Sequence, residues 1–151
     1  STKRTLAFRV WPSAANENYR FQPVDSELNI LPIKLFPGIE NWLAQSLTQQ
    51  DIRGMTIESY GSGNLPSNTY LESSLLSLAQ RGTIFINCTQ CLRGEVRQGH
   101  YAAGDFMHKI NALPAGNMSI EAATTWLYSA IKADSTQDSL AKAWQSAQLV
   151  V

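Results

Sequence analysis

Two short polar stretches hold residue types that could meet a small ligand. One is Gly61-Ser62-Gly63-Asn64, within "MTIESYGSGNLPSNTYLESS", residues 55–74. The other is Cys88-Thr89-Gln90-Cys91, which continues into "LRGEVRQGHYAAG". Glycine lets the backbone approach a ligand closely and adopt conformations closed to other residues. The Asn64 carboxamide both donates and accepts, so it can read a carboxylate, an amine or an amide. The first stretch lacks the Lys-Ser/Thr ending of a phosphate loop, and Pro66 stands where a dinucleotide fingerprint needs its third glycine. Without a ligand, the same glycines would simply make a turn, with Asn64 at positive φ.

The cysteines admit sharper chemistry, but their context argues against it. A redox pair should open a helix, where the first thiolate is stabilised. Here Cys88 closes an apolar, β-branched run. Zinc would have to recruit His100 and His108, which lie further apart than the usual spacing of about three to five intervening residues. Cys88 therefore reads as a small core residue and Cys91 as a loop residue. Glu95 and Asp105 read as solvated acids and His100 as a surface residue. No metal and no cofactor is expected.

The elements that must hold these stretches follow from periodicity. "ILPIKLF", residues 30–36, reads as a strand, and Pro32 assigns it to an edge, because proline cannot donate to a ladder. Pro37-Gly38 turns the chain into a helix over about 39–50, with Ile39, Trp42, Leu43 and Leu47 on one face. "MTIESY", residues 55–60, reads as a strand. Thr69 and Glu72 have the spacing of a capping box for a helix that buries Leu71, Leu75, Leu78 and Ala79 and stops at Gly82. "TIFINC", residues 83–88, suits a central buried strand. Strand, helix, strand, helix, strand predicts right-handed crossovers and a parallel α/β sheet.

Beyond it the spacing predicts a loop over 89–100 and a short helix near 102–110. A helix over about 118–133 presents Ile120, Ala123, Thr124, Leu127 and Ile131 on one face. A last helix, about 136–147, starts at Ser135 with Asp138 in the N3 position and buries Leu140, Ala143, Trp144 and Ala147. Ligands of open parallel sheets gather at the carboxyl ends of the strands, and both polar stretches follow strands there.

Bulk properties narrow the partners. The length of 151 residues suits one domain, and 44% hydrophobic residues suffice for a core. Twelve basic residues balance twelve acidic ones, which argues against nucleic acid or an anionic membrane as partner. No apolar run is long enough to span a bilayer, and no signal peptide is visible. Two cysteines are too few for a disulfide scaffold, so a reducing cytoplasm is the expected compartment.

Taken as a pair, "YGSGNLPSN" and "NCTQCLRGEVRQGHYAAG" resemble the C-terminal domain of type I, cytoplasmic-type L-asparaginases. "LFPGI", residues 35–39, fits the same family, and the resemblance runs over roughly residues 30–133. It implies a three-layer, flavodoxin-like α/β domain over 30–151, preceded in 1–29 by the end of another domain and a linker. It implies a parent enzyme that hydrolyses L-asparagine to L-aspartate and ammonia, with a threonine nucleophile in an N-terminal domain that must partner this one. It implies a homo-oligomer, a dimer, with active sites completed across subunits.

Residue by residue, Asn64 matches the asparagine that reaches toward a neighbouring subunit's active site. Thr89, Gln90 and Cys91 match a segment that binds asparagine as an effector. Glu58 stands where that effector site often has arginine, and a carboxylate cannot pair an effector's carboxylate. Residues 1–16, "STKRTLAFRVWPSAAN", resemble the stretch carrying the family's lysine once a one-residue gap is allowed, which would make Lys3 catalytic. The plain alternative for Lys3 is a frayed terminal lysine. Two other functions fit the same residues: a stand-alone amino-acid-binding regulatory module, and the asparaginase-like component of a tRNA-dependent amidotransferase.

Overall fold

In the computed structural model, residues 25, 27–91, 96, 105–132 and 135–148 are described. Two apolar runs make its centre. Gly54–Ser59 (β2) and Ile84–Thr89 (β3) are buried almost throughout, as strands covered on both faces must be. Ile30–Lys34 (β1) and the short Leu113–Pro114 (β4) flank them. All pairs are parallel, in the order β1-β2-β3-β4.

Pro32 lies on an edge strand, as expected, and the register explains why it fits. Leu35 N donates to Glu58 O at 3.1 Å and Arg53 N to Asn29 O at 2.9 Å, so residues 29 and 35 turn their backbone toward β2. By alternation Pro32 turns away, to the open side of the sheet, where a missing N–H costs nothing.

The helices follow from strand order. Every crossover advances in the same direction, and right-handed crossovers that do so lay their helices on one face. Glu40–Leu47 (α1), Thr69–Gln80 (α2) and Asp105–Lys109 (α3) are those helices. Their side chains Leu43, Leu47, Leu71, Leu75 and Met107 form one core with Met55, Ile57 and Phe85. Ile120–Ala130 (α4) and Gln137–Gln148 (α5) come after the last strand and cover the opposite face. There Leu127, Leu140 and Trp144 pack with Ile84, Ile86 and Cys88. The Trp144 ring meets Trp126 edge-to-face at 4.7 Å, and its Nε1 donates to Pro114 O at 2.8 Å. The three-layer α/β arrangement is the expected one.

Several local expectations are corrected. Asn68, not Thr69, caps α2: its Oδ1 accepts from Leu71 N at 2.9 Å. Thr136, not Ser135, caps α5, trading bonds with Ser139 in a reciprocal pair at 3.1 and 3.2 Å, so Asp138 is not the partner of the cap. Ser135 instead closes the preceding turn, accepting from Lys132 N at 2.8 Å. Trp42 is not on the buried face of α1 but 66% exposed, because the helix starts at Glu40 and turns only Leu43, Ala44 and Leu47 inward. Ala143 is exposed, and Ala141 packs in its place. The expected readings of Lys3, Glu95 and His100 fall outside the described residues. No described helix is long and apolar enough to cross a membrane.

Trp144 holds α5 to the sheet by ring burial and by its bond to Pro114 O. Trp144→Ala should cost about 3–5 kcal/mol. Urea unfolding should show this as a lower midpoint with an unchanged slope.

Candidate functional site

The carboxyl ends of β2 and β3 carry both polar stretches on one edge, and the register sets them side by side: Ser59 pairs with Thr89 and Ile57 with Asn87. After β2 the chain folds straight back on itself. Tyr60 N donates to Asn64 O at 3.0 Å, while Gly63 N and Asn64 N reach Tyr60 O at 3.0 and 2.8 Å. So tight a turn needs left-handed backbone at Gly61 (φ +52) and Gly63 (φ +116). Asn64 is not at positive φ, contrary to the turn-only expectation; the one non-glycine residue there among those described is Asn111.

β3 and its exit hold the turn in place. The Thr89 hydroxyl donates to Gly61 O, and Cys91 N donates to Thr89 Oγ1 at 3.0 Å. Asn87, fully buried, donates from Nδ2 to Gly63 O at 3.0 Å and accepts from Ser59 Oγ at 2.6 Å. Gln90 spends both Nε2 protons on carbonyls, Leu35 O at 2.6 Å and Glu58 O at 2.8 Å, and so laces the ends of β1 and β2 together. Thus Asn64 and Thr89–Cys91 do converge. The Asn64 carboxamide differs from its neighbours: it is half-buried, lies over Gly61, and makes no hydrogen bond with any described residue.

Glu58 is not brought to the same side. Alternation along β2 puts its side chain with Thr56, which bonds Thr124 on α4 at 2.8 Å. Its carboxylate pairs with Lys34 Nζ at 3.1 Å. Thr89 and Asn87 share the other face with Phe85. Cys88 is buried on the Glu58 side as a core residue, and Cys91 is exposed. Burial first, and then the negative charges of Glu58 and Glu121, push the Cys88 thiol from its ordinary 9.0 up to about 12. No group of three His, Cys, Asp or Glu side chains that could hold a metal occurs among the described residues. A groove of about 530 Å³ runs between β1 and α1, past Ile33, Trp42 and Leu43, and another of about 400 Å³ lies against α1 and the start of α2. Neither groove is lined by residues 60–64 or 87–91.

Asn87 was absent from the candidates drawn from sequence. Its signal was available: a lone amide inside an apolar strand must find partners, because an unpaired buried polar group costs about 1–3 kcal/mol.

A parallel sheet covered on both faces, with an asparagine-bearing turn braced at its carboxyl edge, defines a three-layer α/β domain. The chain belongs to the glutaminase/asparaginase C-terminal domain family, whose model matches residues 29–143. Among its relatives, L-asparaginase 1 of Escherichia coli is 28% identical over 111 residues, which are 74% of this chain and 33% of that protein. The crystal structure of L-asparaginase I from Vibrio cholerae superposes with a TM-score of 0.68 at 29% identity, covering 78% of this chain and 36% of that one. A glutamyl-tRNA(Gln) amidotransferase component of Pyrococcus horikoshii is 27% identical over 126 residues, which are 76% of this chain and 28% of that protein. The chain thus spans about a third of the length of these two asparaginases.

Two outcomes follow for the bench. A Cβ at Gly63 would meet Asn87 Nδ2 at 2.8 Å and Val96 Cγ1 at 2.9 Å, whereas one at Gly38 (φ +95) meets nothing within 4 Å. Gly38→Ala should cost about 1–2 kcal/mol of backbone strain. Gly63→Ala should cost distinctly more, read as the larger drop in thermal midpoint. For Cys88 the sign is fixed by the raised value: the unfolded chain ionises first, so stability falls as pH climbs from 9.0 toward about 12. Cys88→Ala should flatten that limb in denaturant titrations across the alkaline range.

Proposed function

We propose that this chain is the C-terminal domain of an L-asparaginase, and that the parent protein hydrolyses L-asparagine to L-aspartate and ammonia. The observation that carries the reading is the Asn64 carboxamide, unspent among the described residues, on a turn fixed by Thr89 and Asn87. An enzyme that recognises an amide side chain needs a group that both donates and accepts at a set position, and Asn64 is such a group.

The nucleophile belongs to the preceding domain, so the chain alone releases no ammonia. There a threonine hydroxyl attacks the amide carbon of asparagine. Its proton leaves with the departing ammonia, and an acyl-enzyme forms. Water then cleaves the ester, releasing aspartate and restoring the hydroxyl. Residues 1–29 join the two domains, and Lys3 helps activate the threonine. Asn64 reaches the active site of a neighbouring subunit, which makes a homo-dimer the working unit, in the cytoplasm. Thr89, Gln90 and Cys91 form an effector site, with Glu58 turned to the opposite face and paired with Lys34. What Gln90 offers there is its Oε1 acceptor, so the effector presents an N–H group to it.

A second reading is favoured by the similarity to the glutamyl-tRNA(Gln) amidotransferase: the same amide chemistry with the ammonia delivered to a partner protein. Copurification of such a partner would separate the two.

The test is a chimera in which residues 30–151 replace the C-terminal domain of Escherichia coli L-asparaginase 1. It should release ammonia from asparagine, and Asn64→Ala should lower kcat/KM at least about tenfold. A folded chimera that releases none counts against the reading.

A further inference from the structure

We propose that Asn87 is the positioning residue of this edge: its carboxamide clamps the Gly61–Asn64 turn to β3 and so fixes where Asn64 projects. Its consequence for catalysis rests on the amidohydrolase reading above.

The case begins with cost. β3 is buried in all but its last residue, and Asn87's neighbours Phe85, Ile86 and Cys88 are apolar or nearly so. An apolar residue at position 87 would fill that environment without needing partners. Asn87 needs them and has them on both sides. Ser59 Oγ donates to its Oδ1 at 2.6 Å, which ties it to the end of β2. Its Nδ2 then donates to Gly63 O at 3.0 Å, inside the turn.

Geometry makes the contact demanding. Gly63 is buried between the Asn87 amide and Val96, with no space for a Cβ on either side. Val96 is itself held by its N–H to Gly116 O at 3.0 Å. The turn has a second tether, Thr89 Oγ1 to Gly61 O, but that one is exposed while the Asn87 bond is buried. Water competes for an exposed hydrogen bond, and a buried one lies in a lower dielectric, so the Asn87 bond governs the turn. Asn64 follows Gly63 directly and its backbone pairs with Tyr60. Releasing Gly63 therefore frees the Asn64 side chain without touching it.

Two measurements test this. In hydrogen exchange on the 151-residue chain, Asn87→Ser should speed exchange of the Gly63 and Asn64 amides. The increase should exceed that at Phe85 and Cys88, which report global unfolding, by about tenfold. Gly63→Ala attacks the same contact from the other side and should do the same if Asn87→Ser does not fold. Equal acceleration at all four amides overturns the clamp. In the asparaginase chimera, Asn87→Ser should lower kcat/KM about tenfold alone, yet change the Asn64→Ala chimera by less than about twofold. Losses that multiply instead would show a general structural role and overturn the positioning role. A chimera silent even with the native sequence would defeat the amidohydrolase reading alone, since the exchange experiment still judges the clamp.

Discussion

The register between β2 and β3 is the constraint on which the rest of the carboxyl edge depends. It sets Ser59 opposite Thr89 and Ile57 opposite Asn87, so one strand's exit loop is built against the other's last residues. Both strands are covered on both faces, which leaves no slack for a register slip: a shift by one residue would send Phe85 and Asn87 to the α4–α5 side. Because the crossovers all advance in one direction, α1, α2 and α3 stack on one face, and the loops after β1, β2 and β3 all emerge at the same edge.

At that edge, most of the polarity is architectural. Gln90 closes two carbonyls left open at the ends of β1 and β2. Ser59, Asn87 and Thr89 close those of the turn and its neighbours. A parallel sheet always presents such orphan carbonyls where its strands end, and leaving them buried and unpaired is costly. Side chains that a sequence reading assigns to a ligand are therefore first claimed by the backbone. Asn64 differs: its backbone groups already satisfy Tyr60, and its carboxamide bonds no other described residue.

Much of this was legible in the sequence, for reasons that can be named. Pro32 marked the edge strand because only an edge tolerates it. The apolar stripes of α2 and α4 were long enough for their period to be unambiguous. The glycine pair marked the turn because no other residue fits φ +116 at Gly63 against Asn87 and Val96. Other features were not legible. β4 pairs through only Leu113 and Pro114, too short for any period to appear. At Asn68-Thr69 and Ser135-Thr136 both residues are competent caps, and only the three-dimensional entry angle of the chain chooses between them. Trp42 looked buried because its spacing from Ile39 is helical, but a stripe defined by Leu43 and Leu47 leaves it outside. Asn87 was overlooked because a strand reading scores apolar content and treats the odd polar residue as noise, when it is the residue that most needs an explanation.

An edge on which the Asn64 carboxamide bonds no other described residue suits the proposal that this domain contributes a contact to a site assembled elsewhere. Such a contribution depends on rigidity more than on volume. A side chain that must meet a substrate across a domain or subunit boundary has few other interactions to correct its aim, and small misplacements are expensive in catalysis. Placing Asn64 on a turn of a few residues, pinned through Gly63 to a central buried strand, makes its position a property of the core rather than of the loop. The buried amide of Asn87 then has a role that an apolar residue could not supply, because packing alone would hold Gly63 without orienting its carbonyl.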